Sequence, residues 1–383
     1  MVANIAIPSG YLNAIACLIT GAALIAGCSF NESARDPAQL PGRADGSLVQ
    51  LVDLHFGWGI QIGLATDKQG NVYVADSHRN RIVRVGSDGA WAVIAGAGEP
   101  GYRDGPGAMA RFSFPQGLAV DDGGNVFVAD TLNEVIRKIS ARGEVTTIAG
   151  SYRWYHDGNV RDRNPARDGL GTEARFHAPD SIALDKKGSV FVSDTQNARI
   201  RKVRPDGAVS TLSGVWPYPR LGFVDGPADK AAFNYPHGIA VGPDGNIYVA
   251  DNNSIRKISP DGFTYTLAGG LRARQAQSAG DVFRYTGGFA NGRGAEAEFA
   301  NPVALAIDSK GIIYVADENN FAIRRVTLEG ETTTLFDLKN HYPAPTNPPT
   351  ARSGAPLAVA VLPDDRLVIA TLKGIFIAPA GLR

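Results

Sequence analysis

Gly70-Asn71-Val72-Tyr73-Val74-Ala75-Asp76 is one copy of a segment that the chain writes again and again. GNVFVAD follows at 124–130, GSVFVSD at 188–194, GNIYVAD at 245–251 and GIIYVAD at 311–317, with a degenerate copy, DRLVIAT, at 365–371. Each copy is a short run of β-branched and aromatic residues bounded by Gly and Asp, the pattern of a strand between turns. Working outward from the second copy, Gly117 to Asp121 is an apolar run before it, and Val135 to Ser140 follows it. A turn at Arg142-Gly143 then leads to Val145 to Ala149. Tight turns between such runs join antiparallel neighbours, so each unit reads as four antiparallel strands. The closing residues of the copies recur at intervals of 54 to 66 residues. Four-stranded units repeated at spacings above roughly 40 residues predict the blades of a β-propeller rather than a helical solenoid.

Composition agrees with an all-β reading. Of 383 residues, 45 are Gly and 23 are Pro, and 44% are hydrophobic, enough for a packed core. Lys plus Arg equals Asp plus Glu at 38 each, so no surplus positive field is present to recruit nucleic acid.

The extended pattern Phe112-x-x-Pro115-x-Gly117-Leu-Ala-Val-Asp121, then Gly124 to Asp130, then Ile136-Arg137-Lys138, resembles the NHL repeat, and the resemblance runs from Asp45 to the C-terminus. It implies a propeller, and the chain ends imply six blades. The sixth copy has strands near Leu357 to Leu362, Leu367 to Ala370 and Gly374 to Ile377, and lacks a fourth. Asp45 to Val52 looks like a turn and fourth strand, as in Asp206 to Leu212. The N-terminal strand is therefore expected to complete the last blade, which removes an open sheet edge.

Residues 1–28 read as an export signal. Ala14 to Ala26 is an uncharged stretch of 13 residues, too short to span a bilayer comfortably. It leads into Leu24-Ile25-Ala26-Gly27-Cys28, which resembles a bacterial lipobox, although Met1 to Leu12 lacks the usual basic residue. Cys17 would leave with the signal and Cys28 would remain alone, so no internal disulfide is expected. The resemblance implies lipidation of Cys28, and Ser29 in place of Asp fits outer-membrane sorting. Residues 29–44 read as a tether and 45–383 as the propeller.

Several positions are candidates for chemistry. Asp76, Asp130, Asp194, Asp251 and Asp317 recur in every complete copy and are read as turn caps or partners of an arginine on the next strand. Arg137, Arg201, Arg256 and Arg324 share one register, and pairing with carboxylates between blades is expected of them. More telling are positions that differ between copies. The residue after the repeat's proline begins the innermost strand and should sit at the mouth of the central channel. Around the ring it is Ile62, Gln116, Asp180, His237, Val303 and Leu357. Three neighbouring blades thus offer polar groups and three offer apolar ones, as in a binding funnel. Asp180 with His237 could ligate a divalent metal, calcium or zinc, or act as base and orienter, and His177 lies three residues before Asp180.

The loops Gly150 to Arg175 and Gly269 to Glu298 are the longest, and the first holds an aromatic cluster, Tyr152, Trp154 and Tyr155. Known six-bladed relatives include lactonases, which use an acidic and Asn set on calcium, and amidating lyases, which use several histidines on zinc. Neither set is reproduced, and of the six histidines only His237, with His177 near it, falls at a channel position. The expected function is recognition of a protein, peptide or glycan at the cell envelope by the loop face of the propeller. The alternative is a metal-assisted lyase or hydrolase in the channel. Cys28→Ala is expected to shift the protein from the membrane to the soluble fraction, because the lipid supplies membrane affinity. Unchanged membrane association of a signal-cleaved variant would exclude lipid anchoring.

Overall fold

In the computed structural model, which describes residues 48–52, 62–152, 166–215, 223–270, 287–339 and 354–378, the repeated Val-Tyr/Phe-Val-Ala-Asp segment is the second strand of its sheet. Val72–Asp76, Val126–Asp130, Val190–Asp194, Ile247–Asp251 and Ile313–Asp317 are buried at all five positions. Sheets covered on both faces favour such unbroken apolar runs, and here the cover on each side is the neighbouring blade. Six antiparallel sheets result, and their inner strands pack side by side in a closed ring: Gly63–Thr66, Pro115–Val120, Pro179–Leu184, Pro236–Val241, Pro302–Ile307 and Ala358–Val361. The chain is an all-β, six-bladed propeller.

Three blades carry one strand more than the repeat suggests. The incoming connections contribute Gly105–Pro106, Gly169–Leu170 and Gly292–Arg293, which pair with the outer strands of blades two, three and five. In blade four the same place holds a single bridge, Gly226 to Thr264. These additions occupy backbone groups that an outer edge would otherwise present to other chains.

The last blade is completed by the strand from the other end of the chain. Val49–Val52 runs antiparallel to Gly374–Ile377, with Val49 opposite Ile377 and Gln50 opposite Phe376, and a bulge before Val52. Across the seam, Leu51, Ile62, Val72, Val74 and Val83 share one apolar cluster with Leu357, Val368 and Ile375. The Thr66 hydroxyl donates to the Val361 carbonyl at 2.6 Å.

Arginines brace the four complete interior blades. Arg137, Arg201, Arg256 and Arg324 are wholly buried. Each pairs with the repeated Asp of the preceding strand, as expected of those aspartates, but not between blades, because the connections run along the outer edge of the blade they enter. Arg137 stands opposite Val128, which puts its side chain on the face of Asp130, two residues along the same strand. It donates to Asp130 at 2.8 Å, to Asp104 of the incoming connection at 2.6 Å, and to the carbonyls of Arg103 and Arg111. Its guanidinium lies between the rings of Tyr102 and Phe112, at 5.1 and 5.0 Å. Arg201 repeats this with Asp194 and Asp168, Arg256 with Asp251 and Asp225, and Arg324 with Asp317 and Asn291. Blade one has Val83 in that register, and its Asp76 is held instead by Arg81 and Arg79.

Membrane spanning by a helix finds no support among the described residues, none of whose helices is long and apolar enough. Residues 1–28 with Cys28, and the tether 29–44, lie outside the described residues. Deleting residues 45–52 is expected to expose the outer edge of Gly374–Ile377, which then pairs only with Leu367–Thr371, and to cost several kcal/mol, a large part of a domain's margin of roughly 5–15 kcal/mol. Differential scanning calorimetry would show a lowered or lost transition, or aggregation. An unchanged melting temperature would mean that ring closure does not depend on this strand.

Candidate functional site

Each inner strand starts at a fixed point. The residue before the repeat's proline adopts a left-handed backbone in four blades: Phe114 (φ 54), Ala178 (φ 48), Tyr235 (φ 65) and Asn301 (φ 58). Such a conformation is unfavourable for non-glycine residues before proline and persists only where neighbours hold it. Here the preceding blade supplies hydrogen-bond acceptors. The Phe114 N–H donates to Asn80 Oδ1 at 2.8 Å and the Ala178 N–H to Glu134 Oε2 at 2.9 Å. Hydroxyls of Ser77, Thr131 and Thr195 reach across to the carbonyls of Pro115, Pro179 and Pro236 at 2.5, 2.8 and 2.6 Å.

In five blades the candidate residue directly follows the proline, in the first Ile62 follows Gln61, and a small residue comes next in all six. A Cβ on Gly117 would sit 2.6 Å from the Asp180 carbonyl oxygen and from Ser181 Cα. Only glycine lets adjacent inner strands approach this closely, which holds Gln116 and Asp180 side by side at the channel wall.

The channel has a volume of about 300 Å³, and Ile62, Gln116, Asp180, Val303 and Leu357 line it. His237 is buried beside Asp180, and its Nδ1 lies 2.5 Å from Asp180 Oδ2. The structure thus joins the three polar candidates into one arc, opposite the three apolar ones. Burial alone pulls the His237 imidazole down, but the hydrogen bond and charge of Asp180, with Glu318 and Asp251 further off, reverse this and leave it above its ordinary value. Gln116 is 3% exposed, and its Oε1 has no hydrogen-bond partner. A buried acceptor left open in this way is uncommon and costly.

Two buried carboxyl groups at the rim escaped the sequence reading. Glu318 occupies the turn position that holds Ser77, Thr131 and Thr195 in other blades, and accepts from Asn301 Nδ2 at 2.6 Å. Glu134 sits at a left-handed turn position; burial, with Asp194 nearby, pushes its carboxyl well up against the pull of the Ala178 N–H. Their signal was a departure from the repeat's turn residues.

His177 does not complete a metal set. Its backbone N–H binds Asp194 Oδ1 at 2.7 Å, burial lowers its imidazole and Asp194 raises it. Among the described residues no three His, Cys, Asp or Glu side chains gather as metal ligands. The donors open to a cation are therefore Asp180, His237 and the Gln116 carbonyl oxygen. Tyr152 stacks on Tyr102 with ring centroids 4.4 Å apart, while Trp154 and Tyr155 lie outside the described residues.

Comparison with known proteins agrees with this architecture. The family described as NHL repeat matches residues 62–85, 112–134, 233–256 and 299–325, in blades one, two, four and five. The chain carries NHL repeats. It is 26% identical over 391 residues to NHL repeat-containing protein 2 of Bos taurus, covering 80% of this chain and spanning about half, 51%, of that relative. Among solved structures, a gluconolactonase from Xanthomonas campestris aligns with a TM-score of 0.53 at 14% identity, over 88% of this chain and 90% of the other. A streptogramin B lyase aligns at 0.50 and 15% identity, over 87% and 97%. At such identities the likeness is one of fold.

The His237 environment sets a titration. Its folded-state pKa lies above the unfolded value, so its stabilising contribution is full below about pH 6.5 and is lost as pH rises through the raised midpoint. Nuclear magnetic resonance of the imidazole is expected to give a midpoint above 6.5, and Asp180→Asn is expected to lower it. A wild-type midpoint below 6.5 would mean that burial outweighs the Asp180 contact.

Proposed function

We propose that this protein is a non-catalytic recognition propeller whose channel mouth takes a small ligand, or the end of a peptide or glycan, at the cell envelope. One observation carries the reading. Gln116 and Asp180 face Ile62, Val303 and Leu357 across a channel of about 300 Å³, and His237 of the next blade is buried against Asp180, so three adjacent blades contribute to one polar arc. Binding sites of small molecules are concave, mostly apolar, and carry a few convergent polar groups. Placement outside the cytoplasm rests on the Ala14 to Cys28 segment, with a lipid on Cys28 as the anchor.

A second reading is favoured by the direction of the Asp180 contact. A carboxylate on Nδ1 orients the imidazole and leaves Nε2 as the free nitrogen, the arrangement of a general base and its orienter. The chain would then be a lyase or hydrolase, as the lactonase and lyase of similar fold are named. Alternatively, His237 Nε2 would give up the role of base and join Asp180 and Gln116 in holding a divalent cation, which would polarise the substrate.

Ligand-observed magnetic resonance against a metabolite library tests both. Hits on the wild type are expected to vanish in Asp180→Ala/His237→Ala while the melting temperature holds within a few degrees. Hits that survive the double variant would move recognition to the loop around Tyr152, Trp154 and Tyr155. Chemical turnover of a hit, lost in His237→Ala, would establish the second reading.

A further inference from the structure

The polar arc also has a defined hydrogen-bond character, and the following rests on the channel site proposed above. Asp180 Oδ2 and His237 Nδ1 are used on each other. No other side-chain hydrogen bond is made by Asp180, His237 or Gln116 among the described residues. The groups left for a ligand are the acceptor Asp180 Oδ1, the imidazole Nε2 and both ends of the Gln116 amide, whose Oε1 is buried without a partner.

Three classes of polar end group fit this set unequally. A carboxylate or phosphate only accepts, so it would leave Asp180 Oδ1 and Gln116 Oε1 unmatched. It would also meet the surplus negative charge of Glu318, which lies near enough to act on His237. An ammonium only donates, so it would leave the Gln116 NH₂ unmatched. A hydroxyl both donates and accepts, and serves Nε2 whether the ring is protonated or neutral. Two adjacent hydroxyls serve neighbouring blades at once, one at Asp180 and His237 and the other at Gln116. The carbon face of the same molecule then rests on Ile62, Val303 and Leu357.

We infer that the channel mouth selects a neutral vicinal diol, the end of a saccharide or other polyol, with Gln116 as the residue that reads the second hydroxyl.

The test uses three ring-matched probes on the full chain: a cyclohexane vicinal diol, the vicinal diamine and the vicinal dicarboxylate. Binding is read from the His237 ring resonances, with the melting temperature as the check on folding. The diol is expected to shift those resonances, and Gln116→Leu to weaken it on the order of tenfold, the worth of one buried hydrogen bond. Gln116→Met provides a second variant of similar volume should the leucine variant melt early. Binding of the diamine or dicarboxylate in place of the diol, with the same dependence on Asp180 and His237, would overturn the diol assignment and leave the channel site standing. Diol binding indifferent to both Gln116 variants would overturn it as well. Silence of the ring resonances toward all three probes would overturn the diol and the channel reading together.

Discussion

A guanidinium with no access to water must find hydrogen-bond acceptors inside the protein, and that requirement organises blades two to five. Arg137 takes one oxygen from Asp130, another from Asp104, and two backbone carbonyls of the incoming connection. The connection therefore has to run past the arginine, along the outer edge of the blade. The second oxygen of Asp130 accepts the Ser113 N–H at 2.8 Å, and the equivalents at Asp194, Asp251 and Asp317 hold His177, Asn234 and Ala300. One buried ion pair thus fixes the third strand, the second strand, the loop and the residue from which the inner strand departs. Removing one partner of such a buried pair typically costs about 3–5 kcal/mol, because the other is stranded.

That rigidity explains how a nearly symmetric scaffold can present an asymmetric mouth. The braces sit at the outer part of each blade, and the inner strand is further tied by cross-blade hydroxyls such as Thr131 and Thr195. With the backbone set by these contacts, the first residue of each inner strand can differ between blades: Ile62 and Leu357 add to the apolar cluster at the seam, whereas Gln116, Asp180 and His237 carry polar groups. Gln116, Asp180 and His237 stand where Val303, Leu357 and Ile62 stand in other blades, all at the start of the same strand.

The fold was legible because a repeat written five times exposes its own register. Asp180 and His237 were legible for the same reason: both are the first residue after the repeat's proline, so symmetry alone brings them to one place. The pairing of each repeated aspartate with the arginine of the next strand was legible, but the expectation of pairs between blades was wrong, since periodicity says nothing about the path of a connection along an outer edge. Glu134 and Glu318 were missed because they sit in turns, where a left-handed residue or a replaced hydroxyl redirects the side chain. The open Gln116 acceptor was beyond any sequence pattern, as it is defined by partners that are not there.

The strand that closes the ring ties the order of synthesis to the order of folding. Gln50 and Lys373 stand 323 residues apart, yet they bond in the last blade. The other blades are built from local hairpins and can form in sequence, whereas this pairing must wait until nearly the whole chain exists. Contacts of such long range fold slowly, and until they form Val49–Val52 and Gly374–Ile377 are unpaired edges. Each is only four residues long, so the edge that the nascent protein exposes to other chains before the ring shuts is short.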